Sequence, residues 1–270
     1  MVKRSSRFVS TLSLVFAVAV PISATAEDSI STTFNTPRFI LHIGTSSSED
    51  DRSIFGIRDS ALSILNDTYD ELSRSFGYAP KNRVTLRLLP PEEFKRLTGA
   101  PAWTSAMFYR GEISVPLKDH GSLSTSDRKR ALRHEYTHAV VAEISGFRCP
   151  AWLDEGIAQL IEGRPNPVLG PALRQWLSEN DAMPLAWLQD GFTTLDNKLV
   201  PAAYAQSLFA TRTLVEESGM DALVQYLQLL KTRIPEDEAF ARAFDISKDG
   251  FERRLSAQMQ SWSRSGLINP

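Results

Sequence analysis

The sequence of 270 residues predicts an α+β chain. A small mixed β-sheet in the N-terminal half packs on the helices that carry the most distinctive motif, and an all-helical C-terminal half follows. Three observations lead there. Apolar runs with a strand's period of two all lie before residue 117. From about residue 124 onward apolar side chains recur at helical spacing instead. Strands lie before that motif and only helices after it. The length suffices for one large or two small domains. It divides as 1–26, a linker over 27–37, an α/β half over 38–163 and a helical half over 164–270.

The first segment reads as a secretory signal peptide. Lys3, Arg4 and Arg7 form a basic start, residues 9–20 are apolar, and Ala24-Thr25-Ala26 is an A-x-A cleavage site, so cleavage is expected after Ala26. The rival reading, an uncleaved anchor, suffers from an apolar run short of the roughly 20 residues that span a bilayer. No later stretch is long and apolar enough to cross a membrane. Residues 38–43 read as a first strand, in which His42 is a structural histidine. Residues 53–76 repeat Ile54, Ile57, Ala61, Ile64, Leu65, Tyr69, Leu72 and Phe76 along one face of a long helix, ended by Gly77 and Pro80. Residues 83–89 alternate as a half-buried strand, and Pro90-Pro91 starts a short helix closed by Gly99. Residues 106–116 form a strand or hairpin broken at Arg110-Gly111. His120 falls in a Gly/Ser-rich loop and reads as solvated.

Ser124, Thr125 or Ser126 caps a helix running to about Ser145, with Gly146 as its stop. It contains Arg133-His134-Glu135-Tyr136-Thr137-His138, an H-E-x-x-H pattern. Positions i and i+4 share a helix face, so His134 and His138 can address one metal ion, and Glu135 beside them can take a proton from a metal-held water. Pro150 starts a second helix, to about Glu162, carrying Trp152-Leu153-Asp154-Glu155-Gly156-Ile157-Ala158. A catalytic zinc takes three protein ligands and keeps one position open, and Glu155, seventeen positions after His138, is the candidate third ligand. Gly156 and Ala158 are small enough to let the two motif helices approach closely. Cys149, between these helices, is the only cysteine. It forms no internal disulfide and reads as a small buried or loop thiol, with a ligand role as the lesser alternative.

H-E-x-x-H followed after this spacer by W-L-D-E-G-I-A resembles the gluzincin metallopeptidases, and within them the small bacterial families described as peptidase-like. The resemblance implies a thermolysin-like fold, one zinc per chain held by His134, His138 and Glu155, Glu135 as general base, and a peptide or protein substrate. It implies that the sheet edge before the first motif helix, here within residues 106–115, pairs with substrate backbone; an ordinary strand is the alternative. In larger gluzincins a carboxylate one turn beyond the third ligand orients a metal histidine. Gln159 stands there, so Gln159 or Asp154 is expected to do so. In the aminopeptidase branch a tyrosine opens a later helix and steadies the oxyanion. Tyr204, in a helix starting near Pro201, matches that place, with a packed aromatic as the alternative. That branch also binds a free amino terminus through a G-A-M-E-N-like strand, absent here, which leaves endopeptidase as the default over exopeptidase.

Later segments complete the helical half: short helices over residues 171–179 and 184–189, then residues 221–231 and 236–244, and a last helix capped by Ser247. Removing residues 1–26 takes away three basic and no acidic residues, so the mature chain is mildly acidic, which argues against a nucleic-acid partner. These readings together predict a periplasmic or secreted zinc metallopeptidase. The alternative is a zinc-containing, non-cutting relative that binds a peptide or envelope protein.

Overall fold

The structure is a computed structural model that describes residues 31–44, 51–100, 104, 106–117, 125–163, 166–192 and 195–265. The signal-peptide expectation and His120 lie outside the described residues. Among those described, five strands form one mixed sheet in the order β1-β2-β3-β5-β4: β1 Ser31–Asn35, β2 Phe39–Gly44, β3 Val84–Leu89, β4 Met107–Tyr109 and β5 Glu112–Pro116. β2, β3 and β5 run parallel, and the outer strands β1 and β4 pair antiparallel.

β1 corrects the expected linker. Residues 31–35 carry one apolar side chain, Phe34, so no apolar alternation in the sequence marks them as a strand, although half-buried and exposed positions alternate in the fold. Backbone pairing to β2 holds them, closed by Thr36, whose hydroxyl bonds both the N–H and the C=O of Phe39.

One sheet face is core. Phe39, Leu41 and Ile43, then Leu86, Leu88, Ile113 and Val115, lie buried against α1 (Asp51–Phe76) and α3 (Thr125–Ser145). On the other face α2 (Pro91–Thr98) covers a smaller cluster of Leu89, Phe94, Ala100 and Met107. His42 sits half-buried on that face, 2.9 Å from the Thr33 hydroxyl, as a structural histidine should.

α4 (Ala151–Glu162) follows α3 after a turn in which Gly146 takes φ 64°. The helical half then comprises α5 (Leu169–Leu177), a 3-10 turn at Leu185–Leu188, α6 (Val200–Lys231), α7 (Glu236–Phe244) and α8 (Lys248–Arg264). The two helices expected near residues 201–231 form one element interrupted at Gly219, whose φ 83° and ψ 165° are not helical. Buried Gln206 of α6 pins the preceding connection by bonding both the N–H and the C=O of Met183. Ser247 caps α8, accepting from the Gly250 N–H.

Arg133 fastens the helices around the motif. Its guanidinium makes two bonds to Glu71 of α1, at 2.6 and 2.8 Å, and also donates to the Ile161 carbonyl near the end of α4. One side chain of α3 thereby fixes α1 and α4, and with them the angle at which α4 presents Glu155.

Candidate metal centre

α3 is suited to hold a metal because its side chains are packed on several sides. Leu132, Tyr136, Val140, Val141 and Ile144 are buried around it, and the Tyr136 ring packs edge-on against Phe39 of β2 at 5.4 Å. From this helix His134 and His138 project one turn apart, their rings 4.8 Å apart at 79°. Glu155 meets them from α4. Its Oε2 lies 3.4 Å from His134 Nε2 and 3.9 Å from His138 Nε2, and one ligand atom from each residue falls within 4.8 Å of the others.

These distances fit a single ion. Ligands at about 2.1 Å around a tetrahedral zinc stand roughly 3.4 Å apart. Both Nε2 atoms, Glu155 Oε2 and Glu135 Oε1 are buried without a hydrogen-bond partner. Four such atoms gathered in one buried place cost several kcal/mol between them, of the order of 1–3 kcal/mol each, unless a cation or water meets them. Two imidazoles and a carboxylate are a donor set that suits zinc.

The other nitrogen of each imidazole faces a carboxylate. His134 Nδ1 is hydrogen-bonded to Glu162 Oε2 at 2.9 Å. His138 Nδ1 is equally close to Asp154 Oδ1, although the pair is not aligned as a hydrogen bond. Asp154 was one of two expected partners. The other, Gln159, is corrected: its amide nitrogen donates to the carbonyls of Glu155 and Tyr204 and so ties α4 to α6. Glu162 was missed, and its position two turns beyond Glu155 was the available signal.

Charge in the metal-free chain follows from this crowding. Burial pushes the His134 pKa down, but Glu155 and Glu162 outweigh it and raise it well above the ordinary range. His138 is likewise lowered by burial and raised overall, Asp154 leading. Burial raises the Glu135 pKa despite the two histidines nearby. Its Oε2 accepts the main-chain N–H of Phe108 in β4 at 2.6 Å.

Cys149 is not among the three side chains that converge, and burial, with Asp154 and Glu236, pushes its thiol pKa well up. Tyr204 is buried near the start of α6, with its ring edge-on to Phe192 at 4.8 Å and its carbonyl bonded by Gln159. The close approach expected between the motif helices at Gly156 occurs elsewhere: Gly156 faces Ser207 and Thr211 of α6.

Among solved structures, a two-domain M1 zinc metallopeptidase mutant bound to L-arginine is similar, at 15% identity and a TM-score of 0.42 over 89% of this chain and 52% of that one. An M1 zinc metallopeptidase mutant from Deinococcus radiodurans bound to a Tyr-Ser-Ala substrate gives 17% identity and a TM-score of 0.39 with the same coverage. The chain spans about half the length of both. No curated protein sequence matches it. The family description Peptidase MA superfamily matches residues 101–261. That span is more than half of the chain and holds β4, both motif helices and all three converging side chains, and the chain belongs to the Peptidase MA superfamily.

Proposed function

We propose that the protein is a zinc-dependent peptidase that cuts peptide bonds in the cell envelope or outside the cell. One observation carries this reading: His134, His138 and Glu155 converge, and a fourth buried group, Glu135, stands beside them with Oε1 unpartnered. A metal held only for structure has no need of that carboxylate.

When bound, the ion supplies Lewis acidity, polarising a carbonyl and acidifying a water. His134, His138 and Glu155 would hold it, with Glu162 fixing the His134 ring and Asp154 facing the His138 ring. Glu135 takes the proton from the attacking water and returns it to the leaving amine. Burial raises its carboxyl pKa in the metal-free fold, which favours a carboxylate that can take up a proton. Tyr204 is the proposed hydroxyl donor to the carbonyl oxygen as it gains charge. The lack of a G-A-M-E-N-like strand favours internal cleavage. Export rests on residues 1–26; among the described residues no helix is long and apolar enough to cross a membrane.

Incubating the zinc-loaded protein with a mixed peptide library, beside Glu135→Gln, tests the proposal. New termini that disappear in Glu135→Gln support it. A protein that holds one zinc and cuts nothing, or cuts equally well as Glu135→Gln, overturns it.

A further inference from the structure

We infer that the main-chain N–H of Phe108 is a positioning group for the general base, and that β4 serves the reaction by holding Glu135 rather than by offering this N–H to the substrate. The inference rests on the peptidase reading above.

The hairpin turn makes the contact possible. β4 and β5 are joined by Arg110 and Gly111 alone, both at positive φ, 52° and 85°, and Tyr109 pairs with Glu112 across the turn. Positive φ at both central residues is the geometry of a two-residue turn whose twist matches paired strands. In an antiparallel ladder successive residues point their main-chain groups alternately towards and away from the neighbour. With Tyr109 turned towards β5 to close the hairpin, Met107 also turns to β5 and Phe108 turns outward. α3 packs against this side of β4. The outward N–H of Phe108 therefore meets Glu135 Oε2 at 2.6 Å, shorter than most bonds to a carboxylate.

Two consequences follow for chemistry. A glutamate carboxylate rotates easily about its last bond, so its two oxygens ordinarily exchange roles. Here Oε2 is held by the backbone while Oε1 is buried and unpartnered. The proton is thus taken and returned at one fixed atom, Oε1, whose place is set by the sheet. A peptide adding as a further strand would ordinarily use the outward N–H and C=O of the edge. β4 has three residues, and its outward N–H is already engaged, so Phe108 C=O is what it leaves for a substrate.

Two measurements test the inference. The first needs no catalysis. Amide hydrogen exchange of zinc-loaded protein, read by NMR, is compared between wild type and Glu135→Ala. The Phe108 amide should exchange about a hundredfold faster in Glu135→Ala, while Met107 and Tyr109, bonded to β5, keep their protection. Equal exchange at Phe108 in the two proteins overturns the inference. The second uses proline, which an edge strand accepts where the N–H points out of the sheet. Phe108→Pro removes the N–H, and Phe108→Ala removes the ring but keeps it. The proline variant should have a kcat about ten- to a hundredfold below the alanine variant, with similar KM and zinc content. Equal kcat in the two overturns the positioning role. Wild-type protein that cuts no peptide instead overturns the peptidase reading, and the exchange measurement tells the two failures apart.

Discussion

Glu162 Oε2 holds His134 Nδ1 at 2.9 Å, while the other ring nitrogen of His134 faces Glu155. Both carboxylates come from α4, two turns apart, and Gly163 ends the helix directly afterwards at φ 90°. One short helix thus supplies a candidate ligand and the group that fixes the tautomer of another. Partners of this kind change metal affinity by about ten- to a hundredfold when removed. Glu162→Gln should weaken zinc binding about tenfold, and Glu162→Ala up to about a hundredfold, in a chelator competition. Asp154→Asn should do less, because Asp154 is part-exposed and its contact to His138 is not aligned as a hydrogen bond. Wild-type affinity in Glu162→Ala would remove this role.

Zinc should stabilise the protein more as pH rises. His134 and His138 are held protonated above their ordinary 6.5 in the metal-free fold. A group whose folded pKa is raised contributes stability that is complete below its unfolded value and is lost as pH climbs through the folded one. The metal-free chain therefore loses stability above about pH 6.5. Zinc needs both imidazoles deprotonated, so its affinity moves the opposite way. At a free zinc concentration a thousand times Kd the gain is about 4 kcal/mol, and holding zinc constant lets the rising affinity show in Tm. The Tm increase on adding zinc should be larger near about pH 8 than near about pH 6. A smaller increase at the higher pH would contradict the protonated, metal-free pair.

Arg133 should matter to stability although it touches no ligand atom. Its two bonds to Glu71 and its bond to the Ile161 carbonyl join three helices, and its side chain is only 13% exposed. Arg133→Met keeps much of the length but leaves the carbonyl and Glu71 unpaired. Since Glu71 retains 37% exposure, water recovers part of the loss, and a destabilisation of about 1–3 kcal/mol is expected in urea unfolding. Arg133→Lys should recover little, because an ammonium cannot make the paired contact. Unfolding of both variants at the wild-type midpoint would refute this account.

The metal-site candidates were legible because their geometry is local. One turn of helix separates His134 from His138 whatever surrounds them, and Glu155 needed only a second helix to return beside the first. Helix ends were legible from Gly99, Gly146, Gly163 and Ser247, whose chemistry acts within one turn. β1 was hidden because its support is backbone pairing, with Phe34 as its one apolar side chain. Which α4 residues reach the histidines depends on the rotation of that helix, set by α6 and by Arg133. Gln159 occupied the expected place in sequence yet is drawn to the Tyr204 carbonyl, leaving the histidines to Asp154 and Glu162.

That rotation is fixed most tightly at Gly156. A Cβ there would lie 2.0 Å from Thr211 Oγ1 and 2.4 Å from the Ser207 carbonyl oxygen, far inside contact distance. Alanine would ordinarily favour a helix by about 1 kcal/mol over glycine. Here it must push α4 off α6, and overpacking of this kind costs about 1–3 kcal/mol or more. The sign should therefore reverse: Gly156→Ala unfolds at lower urea than wild type. Thr211→Ala removes the nearer obstacle but leaves the main-chain oxygen of Ser207, so the double variant should recover only part of the loss. Because Glu155 is the adjacent residue, the displaced helix should also hold zinc more weakly in chelator competition. Full recovery in the double variant would mean that the hydroxyl alone sets the spacing. A Gly156→Ala protein as stable as wild type would mean that α4 and α6 are not packed this closely.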